Sequence, residues 1–259
     1  MKKTKNIFWV LLILIMALFS CSTDNDNCVK LLRKVVETSE EGTSETTLYT
    51  YNGNEIVSIE GPQKRIDFTY SDGLITKTVT LNNKNQLLET IEYRYLESKL
   101  VEVESLGNYK INYIHNSDKT ISYERFTIGS ANQQVKEFHG TLYFENENLI
   151  KDNRILDNMA VGVTSNYNVS FDYDSNHNPL HNILGYKKLL DHMQAISLNN
   201  SLINTVIATT TSGDQVLSVA NYYKSSYKYD SENYPTERVS ETAIFGNGNK
   251  GYLKTQYLY

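Results

Sequence analysis

Residues 66–75 read IDFTYSDGLI, and two signals in that stretch decide the fold class. Ile66, Phe68 and Tyr70 alternate with Asp67 and Thr69, so an extended chain places the apolar groups on one face and the polar groups on the other. Asp72-Gly73 then supplies the positive φ angles of a tight hairpin, and Leu74-Ile75 opens the next strand. The unit recurs along the chain. IEYRYLE sets Ile91, Tyr93 and Tyr95 against Glu92 and Arg94, and YKINY sets Tyr109, Ile111 and Tyr113 against Lys110 and Asn112. LVEVES and YNVSFDYD alternate likewise, while YNGNEI, LNNKNQL, NSDKTI and FENENL supply turns. One apolar and one polar face is what antiparallel strands with one wet side require.

Seven aromatics lead into such turns: Tyr51, Tyr70, Tyr95, Tyr113, Phe144, Tyr173 and Tyr229. Their spacings run from 18 to 56 residues, which excludes a fixed-period solenoid. The pattern breaks after residue 180, where NILGYKKLLDHMQAIS gathers Leu189, Leu190 and Met193 near one helical face. The expected fold is all-β: a curved antiparallel meander of hairpins, two-layered or partly closed, with one short helix near residues 184–196. No Pro/Gly/Ser-rich linker divides it, so residues 28–259 read as a single β-rich domain.

The N-terminal segment reads as an export signal. Lys2, Lys3 and Lys5 precede thirteen apolar residues, Ile7 to Phe19, too few to span a bilayer comfortably. The segment ends LFSC, which resembles a bacterial lipobox and implies cleavage before Cys21 and its lipidation. Residues 1–20 are then a lipoprotein signal peptide and residues 21–27 an acidic tether. Without the signal lysines, 22 basic side chains face 30 acidic ones, a net charge of −8 that offers no field for nucleic acid. With Cys21 lipidated, Cys28 has no disulfide partner and reads as a buried small hydrophobe.

Little in the chain points to catalysis. His177 and His181 stand four apart in FDYDSNHNPLHN, but Pro179 between them breaks the helical spacing a zinc pair would use. A metal site would need His192 with Asp174 or Asp191. A second copy of the motif, YKYDSENYPTER, keeps the aromatic pair, Asp-Ser and proline but has no histidine, so Asp174 and Asp230 read as Asx-type turn residues. Glu92, Glu102 and Glu104 lie on polar strand faces. No catalytic, cofactor or metal residue is assigned, and no enzymatic activity is expected. The twenty tyrosines offer another use, since rings exposed on a curved sheet bind glycans or peptides. Of the adjacent pair Tyr222 and Tyr223, one must face solvent.

The hairpins resemble the YD repeats of RHS-type proteins, with Tyr-Asp kept at Asp174 and Asp230 but lost after Tyr51, Tyr70 and Tyr95. Over nearly the whole chain the sequence resembles small Bacteroidetes-type lipoproteins grouped as domains of unknown function. The matching features are the lipobox at Cys21, Cys28, the Tyr-x-Tyr hairpins, Asn178 to Leu190, Asn199-Asn200 and Tyr227 to Thr236. That resemblance implies an outer-membrane lipoprotein, periplasm-facing or on the cell surface. Its expected role is structural or as an interaction module, with the glycan- or peptide-binding sheet as the alternative. The partners implied are the membrane through its lipid, and a glycan, peptidoglycan or envelope protein.

Overall fold

The computed structural model describes residues 29–129, 132–190, 197–244 and 251–259, without the side chains of 242–252. Among them sixteen strands follow one another along the chain. The first five are β1 (Lys34–Ser39), β2 (Ser44–Asn52), β3 (Glu55–Glu60), β4 (Lys64–Ser71) and β5 (Leu74–Asn82). Next come β6 (Leu87–Leu96), β7 (Lys99–Ser105), β8 (Tyr109–His115), β9 (Ile121–Ile128) and β10 (Gln134–Glu145). The last six are β11 (Asn148–Leu156), β12 (Val163–His177), β13 (Asn199–Ser212), β14 (Gln215–Tyr229), β15 (Pro235–Ile244) and β16 (Gly251–Leu258). Each pairs antiparallel with its sequence neighbours. β16 also pairs with β1, Lys34 opposite Leu258 and Ser39 opposite Leu253, so the sheet is closed.

Closure corrects the expected fold. The order and pairing of the hairpins are a meander, but the sheet is neither open nor two-layered nor partly closed. It is a complete barrel, and the likeness to an open YD-type hairpin array falls with it. An open sheet of this length would leave two rows of unpaired N–H and C=O groups, and closure removes both edges. The helix expected near 184–196 is also corrected. Only one turn of 3₁₀ helix, Tyr186–Leu189, is present there, and residues 191–196 lie outside the described residues.

Tight turns form at the positions their residues favour. Asp72 and Gly73 sit at φ 53° and 72°, the mirror-image geometry that matches strand twist. Glu97-Ser98 and Asn146-Glu147 adopt the same positive angles without a glycine. These turns, with those after β2 and β14, gather at one end of the barrel.

Alternation places the apolar set inside. One cluster comprises Leu100, Val103, Tyr113, Ile121, Tyr123, Leu142, Leu149 and Phe171, on β7 to β12. A second joins Leu31, Ile56 and Ile75 to Ile183, Tyr186 and Leu189 of the β12–β13 connection. That connection therefore turns into the barrel and plugs the end where the tight turns gather. The Leu184 N–H donates to the Asn54 carbonyl (3.0 Å), and the Tyr70 hydroxyl donates to the Leu184 carbonyl (3.0 Å). Gly185, at φ 69°, lies so close that a Cβ there would stand 2.9 Å from the Gly73 carbonyl oxygen. Each buried plug side chain contributes about 1.5–3 kcal/mol.

The outer face is charged. Arg94, Glu102, Asn112, Glu124 and His139 follow in register across β6 to β10. Arg94 and Lys110 both reach Glu102 (2.9 and 2.6 Å), Lys136 reaches Glu124 (2.6 Å), and Lys228 and Lys254 both reach Glu237 (2.7 Å each).

Candidate functional site

The plug divides the interior beneath it into two compartments that share Ile91, Tyr93 and Leu189. The wider, of about 800 Å³, lies along β1–β6 and β12–β16 and mixes Phe68, Phe171 and Tyr186 with Glu37, Glu89 and Arg238. The narrower, of about 420 Å³, is walled by β6–β11. Val103, Ile111, Tyr113, Phe138 and the plug residues Leu189 and Leu190 line it, together with two arginines.

Each arginine is placed by its strand. Arg125 shares the inward parity of Ile121 and Tyr123 on β9, and it pairs across to Phe138. A bulge in β10 between Lys136 and Phe138 makes room for Glu137, whose carboxylate meets Arg125. The Arg125 guanidinium lies 4.4 Å from the Tyr109 ring centre. Arg154 on β11 lies 4.7 Å from the Phe138 ring centre and donates from Nε to the Tyr123 hydroxyl (3.1 Å) and from Nη2 to Asp152 (2.6 Å). The Tyr123 hydroxyl in turn donates to the other Asp152 oxygen (2.6 Å). Burial first, and then the Asp152 charge, push the Tyr123 hydroxyl well above its ordinary pKa, so it stays a donor. Burial works against the Arg154 charge, but Asp152 and Tyr123 outweigh it. Gly140 makes the group fit: a Cβ there would sit 2.6 Å from the Tyr123 ring.

These residues escaped the sequence reading, though a signal existed. In ISYERFTI and NLIKDNRIL, charges occupy both alternating sets, so Arg125, Asp152 and Arg154 fall on positions that other strands give to rings and aliphatics.

The residues singled out in the sequence fall elsewhere. His177 and His181 do come together, with stacked rings 5.4 Å apart, and His177 lies 4.8 Å from the Tyr234 ring. Partial burial, then His177 and Lys187, hold the His181 ring below its ordinary pKa against the opposing Glu147. Asp191 and His192 lie outside the described residues, as do Cys21 and Cys28. Among the described residues no three His, Cys, Asp or Glu side chains are grouped to hold a metal. Asp174 and Asp230 accept from the backbone N–H two residues on, at 2.9 Å each, in the Asx manner. Their two motif copies pack together: the Tyr229 hydroxyl donates to Asp174, and the His177 N–H donates to the Asn233 carbonyl (3.1 Å). Tyr223 is the exposed member of its pair, at 42%.

The leading tyrosines do not form a displayed binding face. Tyr51 donates to the Leu32 carbonyl (2.6 Å), Tyr95 to Ile75 (2.9 Å) and Tyr173 to Leu149 (2.7 Å), so each latches a neighbouring segment from inside the barrel.

No protein-family model matches the chain, and no curated protein matches its sequence. In fold, it is similar to a porin-like protein. That crystal structure, from Bacteroides uniformis, aligns at TM-score 0.50 and 13% identity, over 89% of this chain and 97% of that one. The likeness is one of fold.

Three expectations are corrected by this architecture. The small-lipoprotein likeness with its YD-type repeats gives way to a closed sixteen-stranded barrel. The structural or interaction module, and the glycan- or peptide-binding sheet with exposed tyrosines, give way to a closed barrel of porin-like fold whose latching tyrosines and cavities lie inside. The placement as a lipid-tethered body on the outer membrane falls too, because a closed sixteen-stranded barrel is an architecture characteristic of integral outer-membrane proteins.

Proposed function

We propose that the protein is a transport barrel that takes a small apolar solute into its lumen from one end. One observation carries this reading: the barrel is plugged by residues 178–190 at one end, and two cavities, the narrower one lined mainly by apolar side chains, lie beneath the plug. At the opposite end Leu87, Leu88, Leu106, Val161, Val216 and Leu217 stand exposed, an apolar rim at the open mouth.

The outer wall bears on where the apolar solute sits. A lipid-facing barrel needs an apolar outer band about 25 Å tall, and a charge at its midplane costs about 2–4 kcal/mol. Here Arg94, Glu102, Lys110 and Glu124 occupy that wall. Spanning strands run to about 9–11 residues. Part of the wall falls short of that, with 6 residues in β1 and β3 and 7 in β7 and β8, whereas β10 has 12 and β12 and β14 have 15. A charged stretch of outer wall around a partly apolar lumen is the pattern of a barrel that carries its solute in water, and it sets this chain apart from the lipid-facing barrels whose strand closure it shares. A second reading, a membrane-embedded channel, is favoured by the sixteen-strand closure and the porin-like fold.

N-phenyl-1-naphthylamine, a neutral apolar dye, separates the two when combined with planar-bilayer recording. The expected result is saturable dye fluorescence that falls when Ile111→Trp fills the narrower cavity, with no stepwise conductance. Stepwise conductance without dye uptake would replace the carrier with the channel.

A further inference from the structure

We infer that the solute preferred by the narrower compartment is an anionic amphiphile, an acid-headed molecule with an apolar body. The inference rests on the lumenal uptake proposed above. Four charged side chains meet at this compartment, and only the two guanidinium groups line it. Asp152 is 2% exposed and turned toward Tyr123 and Arg154, while Glu137 is the bulge residue at Arg125. A solute therefore meets donors and no carboxylate.

Those donors are held ready. Arg125 stacks on Tyr109 and Arg154 on Phe138, which fixes each planar fork. Arg154 spends Nε on Tyr123 and Nη2 on Asp152, so those bonds leave its Nη1 donors for another acceptor. The paired carboxylates lower the cost of keeping both cations partly buried without occupying the cavity.

Position along the strands sets the orientation. Arg125 lies three residues before the end of β9 and Arg154 two before the end of β11, both toward the open mouth. Leu189 and Leu190 of the plug and Tyr113 close the opposite end. An acid head at the arginines and an apolar body reaching toward the plug use the whole length. The volume, about 420 Å³, is that of a small-molecule pocket. A cationic head would face the two guanidiniums and is disfavoured by the same geometry.

The test is displacement of N-phenyl-1-naphthylamine from the whole protein by laurate, dodecanol and dodecyltrimethylammonium, which share a tail and differ in head. Laurate is expected to displace the dye at roughly tenfold lower concentration than dodecanol, the advantage of a charge-assisted hydrogen bond, with the ammonium weakest. Arg125→Gln should remove most of the laurate advantage, with Arg154 keeping the remainder, and leave dodecanol unchanged. Arg125→Lys, which keeps the charge without the fork, should restore part of the difference. Equal displacement by laurate and dodecanol in the wild type overturns the head-group inference, and that comparison needs no variant to fold. An unchanged laurate response in a folded Arg125→Gln protein overturns the role of that residue. If the dye is taken up but the acid has no advantage, carriage stands and the inference alone falls. If no dye is taken up, both fall.

Discussion

Asp152, 2% exposed, divides its oxygens between the Tyr123 hydroxyl and the Arg154 guanidinium, so the buried charge on each side is answered. Asp152→Ala strands the Arg154 charge and is expected to cost about 3–5 kcal/mol, as breaking a buried pair from one side does. Urea unfolding measures it. Asp230 works at the surface. Partial burial pushes its carboxyl up, but the hydrogen bonds from Lys30 and from the Tyr234 and Glu232 N–H groups prevail and hold it low. Hydrogen bonds to Asp230 and Glu232 raise Lys30. The depressed acid contributes stability above its unfolded pKa and loses it as pH falls through the folded one. The raised lysine contributes below its unfolded pKa and loses it as pH rises through the folded one. The clasp is thus whole between about pH 5 and about pH 10. Amide protection at residues 29–33 should fall in acid below that window, and Asp230→Asn should remove the acid limb. The residue scale was the least legible in sequence. IDFTYSDG announces its parity, but nothing in NLIKDNRIL tells that Asp152 and Arg154 meet Tyr123 from another hairpin.

At the scale of elements, hairpins were the most legible part, because turn chemistry and alternation are local. What joins one hairpin to the next was hidden in the leading tyrosines. The Tyr95 hydroxyl donates to the Ile75 carbonyl across twenty residues of chain, so a ring that reads as core is also a latch. Tyr95→Phe keeps the ring and removes the bond, and an expected loss of about 1 kcal/mol in chemical denaturation reads the latch alone. The plug was legible only as a break in alternation. NILGYKKLL carries apolar residues at helical spacing, yet Gly185 and Leu190 both adopt left-handed angles, φ 69° and 50°, and leave one 3₁₀ turn between them. The barrel's interior, rather than helix propensity, sets that conformation, since Ile183, Tyr186 and Leu189 must all reach Ile56 and Ile75.

For the molecule as a whole, the last strand is the lock. β16 pairs with both β15 and β1, and Thr255 on it is 1% exposed. Removing residues 251–259 would open two edges at once and uncover the lumen. The expected outcome is an aggregating chain with lost cooperative unfolding, checked by size-exclusion chromatography and thermal melting. A truncated chain that stayed monomeric and kept taking up dye would show that closure is not needed for the cavity. The sequence by itself determined that strands form, where they turn, and which side chains share the apolar face, because these depend on a two-residue period and on local φ preferences. It could not determine that the face is covered by the sheet itself. The same alternation serves an open meander, a sandwich or a barrel. The choice was made by pairing between β1 and β16, at opposite ends of the described chain, and by a plug whose apolar groups are satisfied only inside the closed wall.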